Sequence, residues 1–181
     1  YKYGLQKGLF ENSTLHHDSS LNFEHWTKES DLHGVILIND PLDTMGLRMI
    51  SPFIYDANAF TKILTSENVG ILAGSQIDID FEFQIFTGRE VEFFFIVIRS
   101  DGYWLDNNGV WQTSIETIYK RELGIGTFSW TMKAEIIPND CTLKIEIYNT
   151  QSSFDDDAIA EIQKCQLINN FNYDGRIGEF H

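Results

Sequence analysis

The chain has 181 residues, enough for one domain with a sizeable core, and 14% of them are aromatic, so apolar area to bury is ample. Its 13 basic and 27 acidic residues leave a net charge of −14, which repels phosphate backbones and anionic lipid and argues against nucleic acid and membrane surfaces as partners. No apolar run is long enough to span a bilayer, and the two cysteines, Cys141 and Cys165, are too few for a disulfide scaffold or a zinc site. Two free, buried thiols are expected, with a disulfide as the alternative if their strands are neighbours.

Residues 1–30 are polar and turn-rich and read as an N-terminal arm with the first short strands. Two apolar knots, Leu9-Phe10 and the stretch 21–26, flank a loop at 16–20. His16 and His17 are adjacent, so on a strand they point to opposite faces and cannot jointly hold one metal; they read as exposed loop histidines. Residues 31–168 form the core of a β-sandwich, and the polar, glycine-bearing stretch 169–181 reads as a tail or linker.

Within the core, GVILIN at 34–39 is a short strand stopped by Asp40-Pro41, because the residue before proline is pushed out of helical geometry. Pro52 demotes 46–55 to an edge strand or two half-strands. Residues 56–61 can hold one helical turn, and 60–64 leads into a turn at Ser66-Glu67-Asn68. Ile77, Ile79, Phe81, Phe83 and Ile85 then alternate with Asp78, Asp80, Glu82 and Gln84, the period of a strand with one dry and one wet face. Residues 91–98 are apolar on both faces, as for a strand covered on two sides.

A hairpin follows, folding back through Asn108-Gly109. If those two residues are the whole turn, Asp106 faces Trp111 and Trp104 faces Thr113. Trp104 and Trp111 then share a face as diagonal neighbours. Two indoles and a carboxylate on one face make a platform for a sugar ring, whose apolar side stacks on aromatics while its hydroxyls bond to acids and amides. Tyr103, Trp104, Asp106 and Trp111 are therefore the candidate ligand-binding residues; the alternative is that both indoles are core.

Beyond the hairpin come Ile115, Ile118 and Tyr119, then a loop at 123–126. Phe128, Trp130, Met132, Ala134 and Ile136 alternate with polar neighbours, Pro138-Asn139-Asp140 is a turn, and Leu143, Ile145 and Ile147 alternate again. At 155–167 three leading acids suit a helix N-terminus, but Ile159, Ile162 and Cys165 fit a closing strand nearly as well. About ten short strands with little helix make an all-β antiparallel sandwich or jelly roll.

Leu9-Phe10-Glu11-Asn12-Ser13, Phe23-Glu24-His25-Trp26, Ala73-Gly74 before Ile77, and the strands at 130–138 and 143–148 occur in an order that resembles the jelly-roll carbohydrate-binding modules of the galactose-binding-like superfamily. The resemblance implies a non-catalytic module for glycan recognition or surface adhesion, found outside the cell, on its surface or on a virion, with carbohydrate as partner and no cofactor. The family's last strand often carries an acid that helps bind a structural calcium. Here the matching stretch is Ile162-Gln163-Lys164-Cys165, and a lysine in that place argues against a metal. Asp155, Asp156 and Asp157 could stand in, but read better as a solvated acidic loop. The Y-x-L-x-x-x-G-x-W hairpin at 103–111 is similar to ones in sandwich modules of phage tail and bacterial surface proteins. That likeness implies the alternative function, a structural part of a tail or baseplate whose surface binds neighbouring protein chains. No catalytic motif supports an enzyme: G-x-S-x-G, H-E-x-x-H, P-loop and C-x-x-C are all missing, and carboxylate pairs such as Asp78 and Asp80 are a wet strand face.

Overall fold

The alternating run at 77–85 forms a nine-residue strand whose odd members are all buried and whose even members are all half-exposed. It belongs to a computed structural model that describes residues 7–29, 36–40, 43–50, 60–87, 90–150 and 159–170. In chain order the strands are β1 Lys7–Gly8, β2 Trp26–Lys28, β3 Ile36–Asp40, β4 Asp43–Ile50, β5 Phe60–Ser66, β6 Val69–Ile71 and β7 Ile77–Ile85. They continue with β8 Glu90–Arg99, β9 Tyr103–Leu105, β10 Trp111–Gln112, β11 Ile118–Leu123, β12 Gly126–Lys133, β13 Cys141–Thr150 and β14 Ile159–Asn169. The first sheet runs β12-β7-β14-β4-β3, with β1 also paired to β14. The second runs β10-β9-β8-β13-β5-β2, with β11 added to β8 and β6 to β13. The pairings are antiparallel, and the architecture is the expected jelly-roll sandwich.

The core lies where the dry faces of β7 and β8 meet. Phe81 stacks on Phe95 at 4.0 Å between centroids, and Phe83 meets Phe93 at 4.3 Å. Each of these rings is essentially inaccessible, and burial of such a side chain contributes about 1.5–3 kcal/mol. Leu143, Ile145 and Ile147 of β13 and Ile162, Cys165 and Leu167 of β14 complete the layer.

The described part of the arm belongs to the sandwich. Phe10, Leu15, Phe23 and Trp26 join the common core. Trp26 donates its indole N–H to the Asn12 carbonyl at 2.9 Å, while the Asn12 amide ties His16 and Glu24 together. Of the two readings of 155–167, the strand is realised from Ile159 onward, where its backbone completes the ladder between β7 and β4. Asp155, Asp156 and Asp157 lie outside the described residues, as do Pro52, residues 56–59 and the tail from 171. Phe60 and Thr61, expected to end a helical turn, open β5, and 46–50, expected at a sheet edge, lies between β14 and β3. The strand ends at Lys133, the expected alternation holds through buried Ala134, and it fails at Ile136, which is exposed. The cause is Glu135, whose N–H donates to Gly109 instead of to a neighbouring strand of its own sheet. Cys141 and Cys165 are both free thiols, Cys165 fully buried as expected and Cys141 only half-buried, and burial pushes both up from the ordinary thiol value, Cys165 far more.

Candidate functional site

The β9–β10 hairpin is one residue out of the expected register. Leu105 pairs with Trp111, and Trp104 with Gln112. The Gly109 N–H donates to the Asp106 carbonyl at 3.1 Å, and the Asp106 N–H to the Val110 carbonyl at 2.9 Å. The loop is therefore three residues, Asn107-Asn108-Gly109, with Gly109 in the left-handed region at φ 82°. Glycine is needed there twice over, because a Cβ would also collide with the Lys133 carbonyl oxygen. A slip of one residue sends each side chain to the other face. The two indoles thus lie on opposite faces, and the shared Trp104–Trp111 platform does not exist.

Trp111 points inward, is 9% exposed and donates its indole N–H to the Glu135 carbonyl at 2.9 Å. Tyr103 lies on that same inner side. The Arg99 guanidinium, 2% exposed, sits 4.3 Å from the centre of the Tyr103 ring and 5.1 Å from that of Trp111, and it is ion-paired with Asp101. A buried arginine held by two rings and a carboxylate is structural, with its charge satisfied from three sides. Burial pushes the Asp101 carboxyl up, but the hydrogen bond and charge of Arg99 more than offset this and hold it below the usual carboxylate range. Asp106 organises the loop: one oxygen accepts the Asn108 and Val110 N–H groups, and the other accepts the Gln112 amide at 3.0 Å.

Trp104 points outward, half-buried, and there the sequence did not announce its neighbours. Across direct strand pairs the outward row is Gln112, Trp104, Ile98 and Lys144. A second row is Ile96, Glu146 and Thr65. A third is Tyr119, Phe94, Tyr148 and Lys62. Side chains directly opposite one another are about 5 Å apart at Cβ, so these rows form one surface. Tyr119 is 45% exposed; Trp104, Ile96, Ile98 and Tyr148 are half-exposed. Phe94 meets Tyr148 edge-on at 6.1 Å. Glu146 accepts from Lys62 at 3.1 Å and from the Tyr148 hydroxyl at 3.2 Å. Burial, then the charge of Glu146, pushes the Tyr148 hydroxyl up to about 12, so it stays a neutral donor. The signal for this face was already present in 91–98, where Phe94, Ile96 and Ile98 make the strand apolar on its second side.

The outward face of the first sheet is its opposite in character. Asp78, Asp80, Glu82 and Gln84 of β7 lie beside Ser129 and Thr131 of β12 and Lys164 of β14. Lys164, standing where a calcium ligand would be sought, pairs with Asp80 at 2.8 Å. His16 is exposed as expected, but His17 is not: it is 4% exposed, packed on Phe23 at 4.8 Å.

The sequence matches no family model and no curated protein. Among solved structures the chain is similar to part of the arabinose-bound α-L-arabinofuranosidase MgGH51, with a TM-score of 0.51 and 12% identity over 92% of this chain and 27% of that one. It is similar also to part of the agarase AgWH50C, with a TM-score of 0.50 and 9% identity over 80% of this chain and 22% of that one. The CBM22-1 xylan-binding domain of Paenibacillus barcinonensis Xyn10C aligns over 93% of this chain and 97% of its own, with a TM-score of 0.49 and 12% identity. The chain spans 27% and 22% of the two enzymes' lengths, and at these identities the likeness is one of fold. That shared fold is the antiparallel jelly-roll sandwich that the order of motifs along the sequence implied.

Proposed function

We propose that the chain is a non-catalytic glycan-recognition module and that it binds carbohydrate on the outward face of the second sheet. The observation that carries this reading is the contrast between the two outward faces. Around Asp80 and Glu82 the first sheet's face is polar across three strands, with Ser129, Thr131 and Lys164 beside them, while the other exposes aromatic and aliphatic side chains bordered by fixed hydrogen-bonding groups. A sugar ring has the matching anatomy, an apolar face rimmed by hydroxyls. Trp104 and Tyr119 supply stacking surface, Gln112 and the Lys62–Glu146–Tyr148 network supply donors and acceptors already held in place, and Lys144 adds a cation at the end of the row. Pre-positioned polar groups reduce the ordering cost of binding a flexible oligosaccharide. Asp106 contributes indirectly, by orienting Gln112. Such a module would work on glycans outside the cell, at its surface or on a virion.

A glycan array probed with the isolated chain tests this. Hits are expected that disappear in Trp104→Ala and survive in Thr131→Ala on the polar face of the first sheet. Hits that survive Trp104→Ala would place the site elsewhere, and an array without hits would reject the reading. A second reading, docking to neighbouring protein chains in a larger assembly, is favoured by Leu123 and Ile125, which flank one turn at 67% and 72% exposure. It predicts association with those chains that Leu123→Ser with Ile125→Ser abolishes.

A further inference from the structure

An edge strand holds out unpaired N–H and C=O groups that invite another strand, and sheets blunt their edges with charge, proline or shortness. The second sheet does so. Its end strands β10 and β2 have two and three residues, and β11, added at its flank, carries three charged side chains in IYKREL. The first sheet ends on β12 without such protection. That strand has eight residues, GTFSWTMK, with neither charge nor proline from Gly126 to Met132. Among the described strands it pairs only with β7.

The phase of the ladder shows which backbone groups point away from β7. Ala134, in the same register as the β12–β7 pairs, donates its N–H to the Ile77 carbonyl at 2.9 Å. Bonded and non-bonded pairs alternate in an antiparallel ladder, so Phe128, Trp130 and Met132 exchange bonds with β7. Thr127, Ser129 and Thr131 therefore turn their N–H and C=O groups outward, and their side chains are exposed. Glu135 shows the outward phase directly, since its N–H reaches the Gly109 carbonyl at 2.8 Å. The hairpin tip that carries Gly109 also sits against the Lys133 carbonyl, so it covers the edge from there on. At the other end the edge begins where β11 has turned into β12. The open stretch is 126–132, and its midpoint is Ser129.

We propose that this edge pairs with the same edge of a second copy of the chain, antiparallel and around a two-fold axis through Ser129. The two first sheets then become one. Ser129 faces Ser129, Thr127 faces Thr131 and Phe128 faces Trp130, so the stretch is self-complementary, as a two-fold contact requires. The outward residues exchange about six backbone hydrogen bonds. Phe128 and Trp130 are half-buried, stacked on Phe83 at 5.6 Å and on Phe81 at 5.4 Å, and the second copy brings an aromatic ring opposite each. Charge permits the approach. Asp80 and Glu82 lie one strand back on β7, and the two β7 strands would be three strand spacings apart, about 14 Å. That exceeds the Debye length of about 8 Å at physiological salt. The net charge of −14 on each copy still opposes pairing at low salt, so association should strengthen as salt is raised. The contact leaves the outward face of the second sheet open and does not depend on glycan binding.

The test is sedimentation equilibrium of the full chain. One strand pair lies at the small end of interfaces, below about 1,200 Å², so the range should reach about 1 mM chain. A dimer is expected, tighter at high salt. Ser129→Lys should raise its Kd about tenfold or more, because two like charges meet on the axis. Lysine lowers the net charge, so such a loss cannot come from general repulsion. Ser129→Pro should be monomeric yet fold as the native chain does, because the N–H it removes points away from β7. Leu123→Ser, at the exposed turn, should dimerise normally. The proposal is overturned if the native chain is monomeric at about 1 mM in high salt, if Ser129→Lys dimerises as the native chain does, or if Leu123→Ser alone abolishes the dimer. Should Ser129→Pro not fold, Ser129→Lys decides, because that side chain is exposed.

Discussion

Trp104 and Trp111, close in one hairpin, should respond to truncation in opposite ways. Trp111 fills the core and bonds to the Glu135 carbonyl, so Trp111→Ala is expected to cost about 3–5 kcal/mol in a urea denaturation curve. Trp104→Ala on the outward face should cost about 1 kcal/mol and act on glycan binding instead. Equal costs would return both rings to one environment. Asp101 gives a prediction in pH. Its folded-state pKa is depressed, so its stabilising contribution is complete above the unfolded carboxylate value near 4 and is lost as pH falls through the lower folded value. Asp101→Asn should cost about 2 kcal/mol at neutral pH and should flatten the fall in melting temperature below about pH 4. An unchanged acid limb would mean that Asp101 plays no part in it. Residue identity alone could not assign the indoles. Which face a residue takes in a hairpin depends on whether the turn has two residues or three, and Asn108-Gly109 fits both. Of the deciding groups, the Asp106 carboxylate on the Asn108 and Val110 N–H groups is local to the hairpin, and the Lys133 carbonyl against Gly109 comes from tertiary structure.

At the scale of elements, strands with one wet face were legible and the others were not. The run at 77–85 alternates without a fault, and β7 occupies that span with its inward set buried. Phe81→Asp should therefore unfold the chain or cost more than about 4 kcal/mol, while Glu82→Ala should stay near 0.5 kcal/mol, both read from chemical denaturation. Similar losses would mean reversed faces. The apolar run at 91–98 was legible as a strand, but the expectation that it is covered on two sides does not hold: Ile96 and Ile98 on its second face are half-exposed. Hydrophobicity alone does not separate a residue under a second layer from one that waits for a ligand. Gly109→Ala tests the hairpin as a unit. It forces a side chain into left-handed backbone and against the Lys133 carbonyl, and should cost about 2 kcal/mol or more by the same measurement. A neutral result would mean that the tip is not docked on the segment after β12.

For the molecule as a whole, thiols and metal set simple expectations. Both cysteines are free and both thiols are pushed up, so a reductant should leave the melting temperature unchanged, and a thiol reagent should modify Cys141 before fully buried Cys165. A chelator should also leave it unchanged, because the strand position at Lys164 is occupied by an ion pair with Asp80. A drop of several degrees would reveal a tightly bound cation held elsewhere.

The last strand has a consequence for how the chain acquires its shape. β14 pairs with β7 and β4, and with β1 from the first described residues, while Phe10 and Gln166 exchange two hydrogen bonds across 156 positions. The middle of the first sheet is thus supplied by a strand that is synthesised after all the other described strands. Until Ile159–Asn169 emerges, β7 and β4 each hold out an unpaired edge and β1 has nothing to pair with. Loop closure over such distances is slow, so refolding in milliseconds to seconds is expected, and the nascent chain must spend its synthesis with those edges open to other strands.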